Sequence, residues 1–81
     1  MLNRIKFVIN EWDPIEVFPY APNDEYNLEI IEILEFLKKN ENVSADFLGN
    51  KIYDIFLKTL GGDVFKKSLR ECIEVARRIL L

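Results

Sequence analysis

Carboxylates are the residues of this chain with the widest chemical repertoire, and most of them are concentrated in one stretch. Eight of the 14 acidic residues fall between positions 11 and 35, where there is no Lys or Arg. They are Glu11, Asp13, Glu16, Asp24, Glu25, Glu29, Glu32 and Glu35. Close pairs such as Asp13 with Glu16, or Asp24 with Glu25, are able to serve as general acid and base or to hold a divalent cation.

The composition excludes most other catalytic and metal-binding chemistry. The chain has no His and one Cys, so it cannot form a Ser-His-Asp triad, a Cys/His zinc site or an internal disulfide. It also lacks the calcium-loop, phosphate-loop and HExxH patterns. We therefore expect no enzymatic activity, no catalytic residue and no cofactor.

The acidic stretch also carries aromatic residues of the kinds that anchor protein interfaces. An acidic surface with exposed aromatic rings would repel nucleic acid and attract a basic protein. The predicted partner-binding residues are Trp12, Asp13, Glu16, Phe18, Tyr20, Asp24 and Glu25. A structural explanation competes with this one, because acids near the start of a helix stabilise its dipole and the glutamates from 25 to 35 are spaced as a solvated face. Trp12 and Tyr26 are of types found in cores more often than at contacts.

Apolar residues recur at helical spacing in four segments, which predicts an all-α fold. With 81 residues, the chain is expected to form one small four-helix bundle-like domain over residues 1–81. The first helix is predicted from about Leu2 to Trp12, ending at Asp13-Pro14 because the residue before a Pro leaves the helical region. A Pro-rich loop follows, or a short helical turn over Ile15 to Phe18 with Asp13 as its N-cap.

The second helix is predicted from about Asp24 to Lys39, with Asn23 or Asp24 as its N-cap. Its apolar residues occupy more than one stripe, so we expect this helix to lie centrally and to contact neighbours on two sides. These residues are Tyr26, Leu28, Ile30, Ile31, Ile33, Leu34, Phe36 and Leu37.

Ser44 is the predicted N-cap of a third helix over Ala45 to Leu60. Gly49 inside this helix suggests a close crossing with another helix, since a helix-interior Gly costs about 1 kcal/mol against Ala. Gly61-Gly62 is the predicted stop, because Gly readily takes the left-handed conformation that ends many helices.

Asp63 is the predicted N-cap of a fourth helix, whose apolar residues repeat from Phe65 to Leu80. Cys72 falls on its apolar face and has no His to activate it, which predicts a small buried hydrophobe. The basic residues of this helix are predicted to form a solvated face, with a dimer seam as the alternative. A pI near 4.9 argues against nucleic-acid binding.

Neither a signal peptide nor a membrane span is predicted, because charges interrupt every apolar run. The N-terminal segment has no apolar run longer than Phe7 to Ile9. Together with the lone thiol, this predicts a cytoplasmic protein with no membrane partner.

The segment INEWDPIEVFPYAPNDEYNLEIIEI resembles the YugE-like family, small bacterial proteins of unknown function. The family shows an N-terminal helix, a Trp-Asp-Pro turn, an Asp-Glu-Tyr helix start and a later Cys and Ala, found here at 12–14, 24–26, Cys72 and Ala76. The resemblance spans nearly the whole chain and implies no reaction. The chain departs from the family two residues after the Pro, where Glu16 stands in place of a frequent Gly. Some immunity proteins of bacterial toxin systems have similar segments.

The same motifs also predict a structural clasp. Trp12 would fill the gap between the first helix and the loop, Asp13 would cap the turn, and Tyr26 would pack back on Trp12. The functional prediction is a non-enzymatic domain that binds a protein, either a basic partner or a second copy, through its acidic, aromatic-bearing surface. The alternatives are an immunity-type inhibitor of a basic toxin, and a divalent-metal or small-molecule-binding protein.

Overall fold

The computed structural model describes residues 1–81, which form four α-helices and no strand. The helices are α1 (Leu2–Trp12), α2 (Asn27–Lys39), α3 (Ala45–Leu60) and α4 (Leu69–Leu80). They form a ring in which α1 contacts α2 and α4, and α3 contacts the same two helices. The predicted all-α, four-helix bundle-like fold is confirmed.

The ends of α1 and α3 lie where the sequence predicts them. The N–H of Asp13, which has a φ of 47°, donates to the carbonyl of Ile9 at 2.9 Å and closes α1. The hydroxyl of Ser44 accepts the N–H of Phe47 at 3.1 Å and starts α3. Gly61 ends α3 with a φ of 83°, a conformation that Gly adopts without strain.

The start of α2 differs from the prediction. The helix begins at Asn27 rather than Asp24, and its N-cap is Tyr26 instead of Asn23 or Asp24. Two successive turns precede it, with the N–H of Glu25 donating to Pro22 and that of Asn27 donating to Asp24. The physical reason is tertiary: Tyr26 is buried and bonded to the preceding loop, and it holds a non-helical backbone conformation.

The start of α4 also differs from the prediction, because Asp63 does not cap it. The carbonyl of Gly61 accepts the N–H groups of Val64 and Phe65 and closes a turn that buries Phe65 before the helix begins. Ser68 is the N-cap, and its hydroxyl accepts the N–H of Glu71 at 3.1 Å. The Ser-x-x-Glu pattern at 68–71 is a capping signal that the sequence contains.

A core of 15 buried apolar residues draws on all four helices. The α3–α4 pair is the most extensive helix contact, and Gly49 of α3 lies within it. A Cβ on Gly49 would lie 2.5 Å from Cγ1 and 2.6 Å from Cα of Ile73, which confirms the predicted close crossing. Cys72 is fully buried, as predicted.

Packing around α2 follows the sequence in part. The helix contacts neighbours on two sides, as predicted, but it does not lie centrally, because every helix of the ring has two neighbours and the most extensive contact is between α3 and α4. Its apolar face is nevertheless wider than the surface these neighbours cover, since Leu28 is 75 % and Ile31 44 % exposed. Glu29, predicted on the solvated face, is only 5 % exposed, because it lies one turn before the core residue Ile33.

Candidate functional site: the loop between α1 and α2

Asp13 fixes the long connection between α1 and α2 through its carboxylate. Oδ1 accepts the N–H of Val17 at 2.9 Å and the hydroxyl proton of Tyr26 at 2.5 Å, and Oδ2 accepts the N–H of Phe18 at 3.0 Å. The Tyr26 oxygen in turn accepts the N–H of Ile15 at 3.2 Å. These bonds fold residues 13–26 into a compact loop, and no helical turn forms over 15–18. Asp13 therefore does not act as a helix N-cap.

The charge states of Asp13 and Tyr26 are complementary. Burial alone would raise the pKa of Asp13, but the hydrogen bonds from Tyr26, Val17 and Phe18 and the positive charge of Lys67 together hold this pKa below its ordinary value of 3.8. Burial, reinforced by the hydrogen bond to Asp13, raises the pKa of Tyr26. The pair thus consists of an ionised acceptor and a protonated donor at neutral pH.

Tyr26 joins the loop to the core by aromatic contacts as well. Its ring meets Phe18 edge-on at a centroid distance of 5.8 Å and Phe56 of α3 at 6.0 Å. Trp12 packs edge-on against the same Phe56 at 5.6 Å. The predicted packing of Tyr26 on Trp12 is therefore replaced by an arrangement in which each ring packs on Phe56.

Trp12 connects the end of α1 to the other side of the molecule. Its ring also packs against Phe65 at 6.2 Å, and its indole N–H donates to Oε2 of Glu71 at 3.1 Å. Glu71 lies within 3.6 Å of Lys67, which adds an ion pair to this contact. The role of Glu71 was not predicted, since a residue 59 positions away leaves no local signal in the sequence.

The predicted partner-binding residues separate into two groups. Trp12, Asp13 and Phe18 are half-buried and make the internal contacts described above. The other four, all exposed, are Glu16, Tyr20, Asp24 and Glu25; we refer to them as the Tyr20 surface. Tyr20 is 95 % exposed, and none of the three acids forms an ion pair.

The backbone at Glu16 has a φ of 55°, in the left-handed region that favours Gly. Glu16 holds an exposed carboxylate there at the expense of backbone strain.

Little in the structure indicates metal, nucleophile or small-molecule chemistry. No group of three His, Cys, Asp or Glu side chains is placed to hold a metal ion. Burial, with a smaller contribution from the charge of Glu71, raises the pKa of the Cys72 thiol to about 12 and so keeps it protonated. The four surface depressions are all open to solvent. None of the helices combines the length and apolar character needed to cross a bilayer.

Fold and loop together define a class: a small all-α domain whose one long connection is fixed by a hydrogen-bonded Asp–Tyr pair and presents an exposed aromatic side chain. A family model, described as a domain of unknown function (DUF1871), matches residues 4–81. The chain belongs to this DUF1871 family. No curated protein and no solved structure shows significant similarity to the chain.

Proposed function

We propose that this protein is a non-enzymatic binding domain that engages a basic protein through the Tyr20 surface. The observation that carries the proposal is Tyr20, a large amphipathic side chain left 95 % exposed on a loop whose backbone is fixed from within. Tyrosine is among the residue types that contribute most to binding when a partner buries them.

Preorganisation supports this function. The carboxylate of Asp13 holds Val17 and Phe18, and the carbonyl of Val17 accepts the N–H groups of Tyr20 and Ala21 at 3.1 and 2.9 Å. The backbone that presents Tyr20 is thus bonded on both sides of Phe18. A side chain on a fixed loop loses less conformational entropy on binding than one on a flexible loop.

Charge supports a basic partner. Asp24 and Glu25 are exposed and free of ion pairs. Glu16 is exposed and unpaired as well, although it lines a depression with Lys66 and Lys67. Exposed, unpaired acids on the same connection as an aromatic anchor attract a positively charged surface and disfavour nucleic acid and anionic membranes.

The proposal can be made more specific about the kind of protein and its cellular location. Within DUF1871, the Trp-Asp-Pro and Asp-Glu-Tyr segments favour a YugE-like bacterial protein, and a single buried thiol, Cys72, suits the cytoplasm. Inhibition of a basic toxin would be one form of the same binding mode. For a metal-binding or small-molecule-binding protein, no observation adds support beyond the abundance of carboxylates.

A matched pair of variants tests the proposal by affinity capture from native lysate. The first variant removes the Tyr20 surface by Tyr20→Ser with Glu16→Gln, Asp24→Asn and Glu25→Gln. The control neutralises three exposed, unpaired acids elsewhere, by Glu41→Gln, Asp54→Asn and Asp63→Asn. We expect wild type and control to retain the same basic protein and the first variant to lose it. Equal retention by all three would contradict the proposal.

A further inference from the structure

We draw no further inference here: the strongest candidate, the exposed apolar patch of Leu28 and Ile31 on the outer face of α2, is bordered on that face by both acidic and basic side chains, and nothing in the structure shows what covers it.

Discussion

Replacing Asp13 by Asn tests the hydrogen bonds that fix the loop, because it exchanges one carboxylate oxygen for an NH₂ group. In the wild type, the carboxylate accepts hydrogen bonds from Tyr26, Val17 and Phe18. An Asn side chain keeps its oxygen for Tyr26 and Val17 but directs an NH₂ group at the N–H of Phe18, where two donors meet. Hydrogen bonds to an ionised acceptor are worth about 1.5 to 3 kcal/mol each and roughly twice as much as neutral ones.

The expected loss of stability follows from these bonds. Weakening two of them and losing the third should cost about 2 to 4 kcal/mol of unfolding free energy, since the contributions are not additive. That is a large part of the roughly 4 to 12 kcal/mol expected for a chain of this length. Tyr26→Phe removes one of the same bonds from the other side. The double variant should therefore lose less than the sum of the two single variants.

The pH dependence gives a second signature. Folding lowers the pKa of Asp13, so its ionised form contributes stability that is complete above the unfolded pKa of about 3.9 and is lost as the pH falls through the folded pKa. The difference in unfolding free energy between wild type and Asp13→Asn should have its maximum value at about pH 6 and decrease below about pH 4.

Urea denaturation, followed by circular dichroism and by the fluorescence of the single Trp, Trp12, measures these differences. Asp54→Asn is the control, because Asp54 is exposed on α3 and its carboxylate makes no hydrogen bond or ion pair; it should change stability by less than about 0.5 kcal/mol. An Asp13→Asn variant as stable as this control, or a stability difference that stays constant down to about pH 2, would refute the reasoning.

Three further predictions concern packing, backbone strain and thiol reactivity. Gly49→Ala should cost about 2 kcal/mol in urea denaturation because its Cβ would overlap Ile73, whereas Gly62→Ala, 3.8 Å from its nearest neighbour, should be nearly neutral. Glu16→Gly should be about 1 kcal/mol more stable than Glu16→Ala, since both lose the charge but only Gly relieves the left-handed strain; equal stabilities would argue against that strain. Cys72 should react with a thiol reagent only after unfolding, because its thiol is buried and its pKa is raised to about 12; rapid labelling of the folded protein would contradict this.

Local signals in the sequence are sufficient to predict a helix end where only neighbouring residues determine the backbone conformation. The ends of α1 and α3 depend on a residue before a Pro, a Ser cap and a Gly stop, all of which act within a few residues. The starts of α2 and α4 were misplaced because Tyr26 and Phe65 are pulled into the core just before each helix begins. Such competition between burial and helix extension leaves no periodic signal.

The candidate site was predictable to a similar extent. The sequence indicated that Asp13 organises a turn and that Trp12 and Tyr26 have structural roles. It did not indicate that Tyr26 reaches Asp13 or that Trp12 bonds to Glu71, since both contacts depend on how the helices pack. Nor did the apolar pattern of α2 reveal that Leu28 and Ile31 stay uncovered, because periodicity does not show how many neighbours a helix has.

Site-specific photocrosslinking at Tyr20 most directly tests whether the protein binds through this loop. A photoreactive aromatic residue, p-benzoylphenylalanine, would replace Tyr20 in one sample and Phe7, an exposed aromatic residue of α1, in the control. We expect irradiation in cells to join one basic protein to the residue at position 20 and not to the residue at position 7. Absence of a crosslink at position 20, or the same product from both positions, would contradict the proposed function.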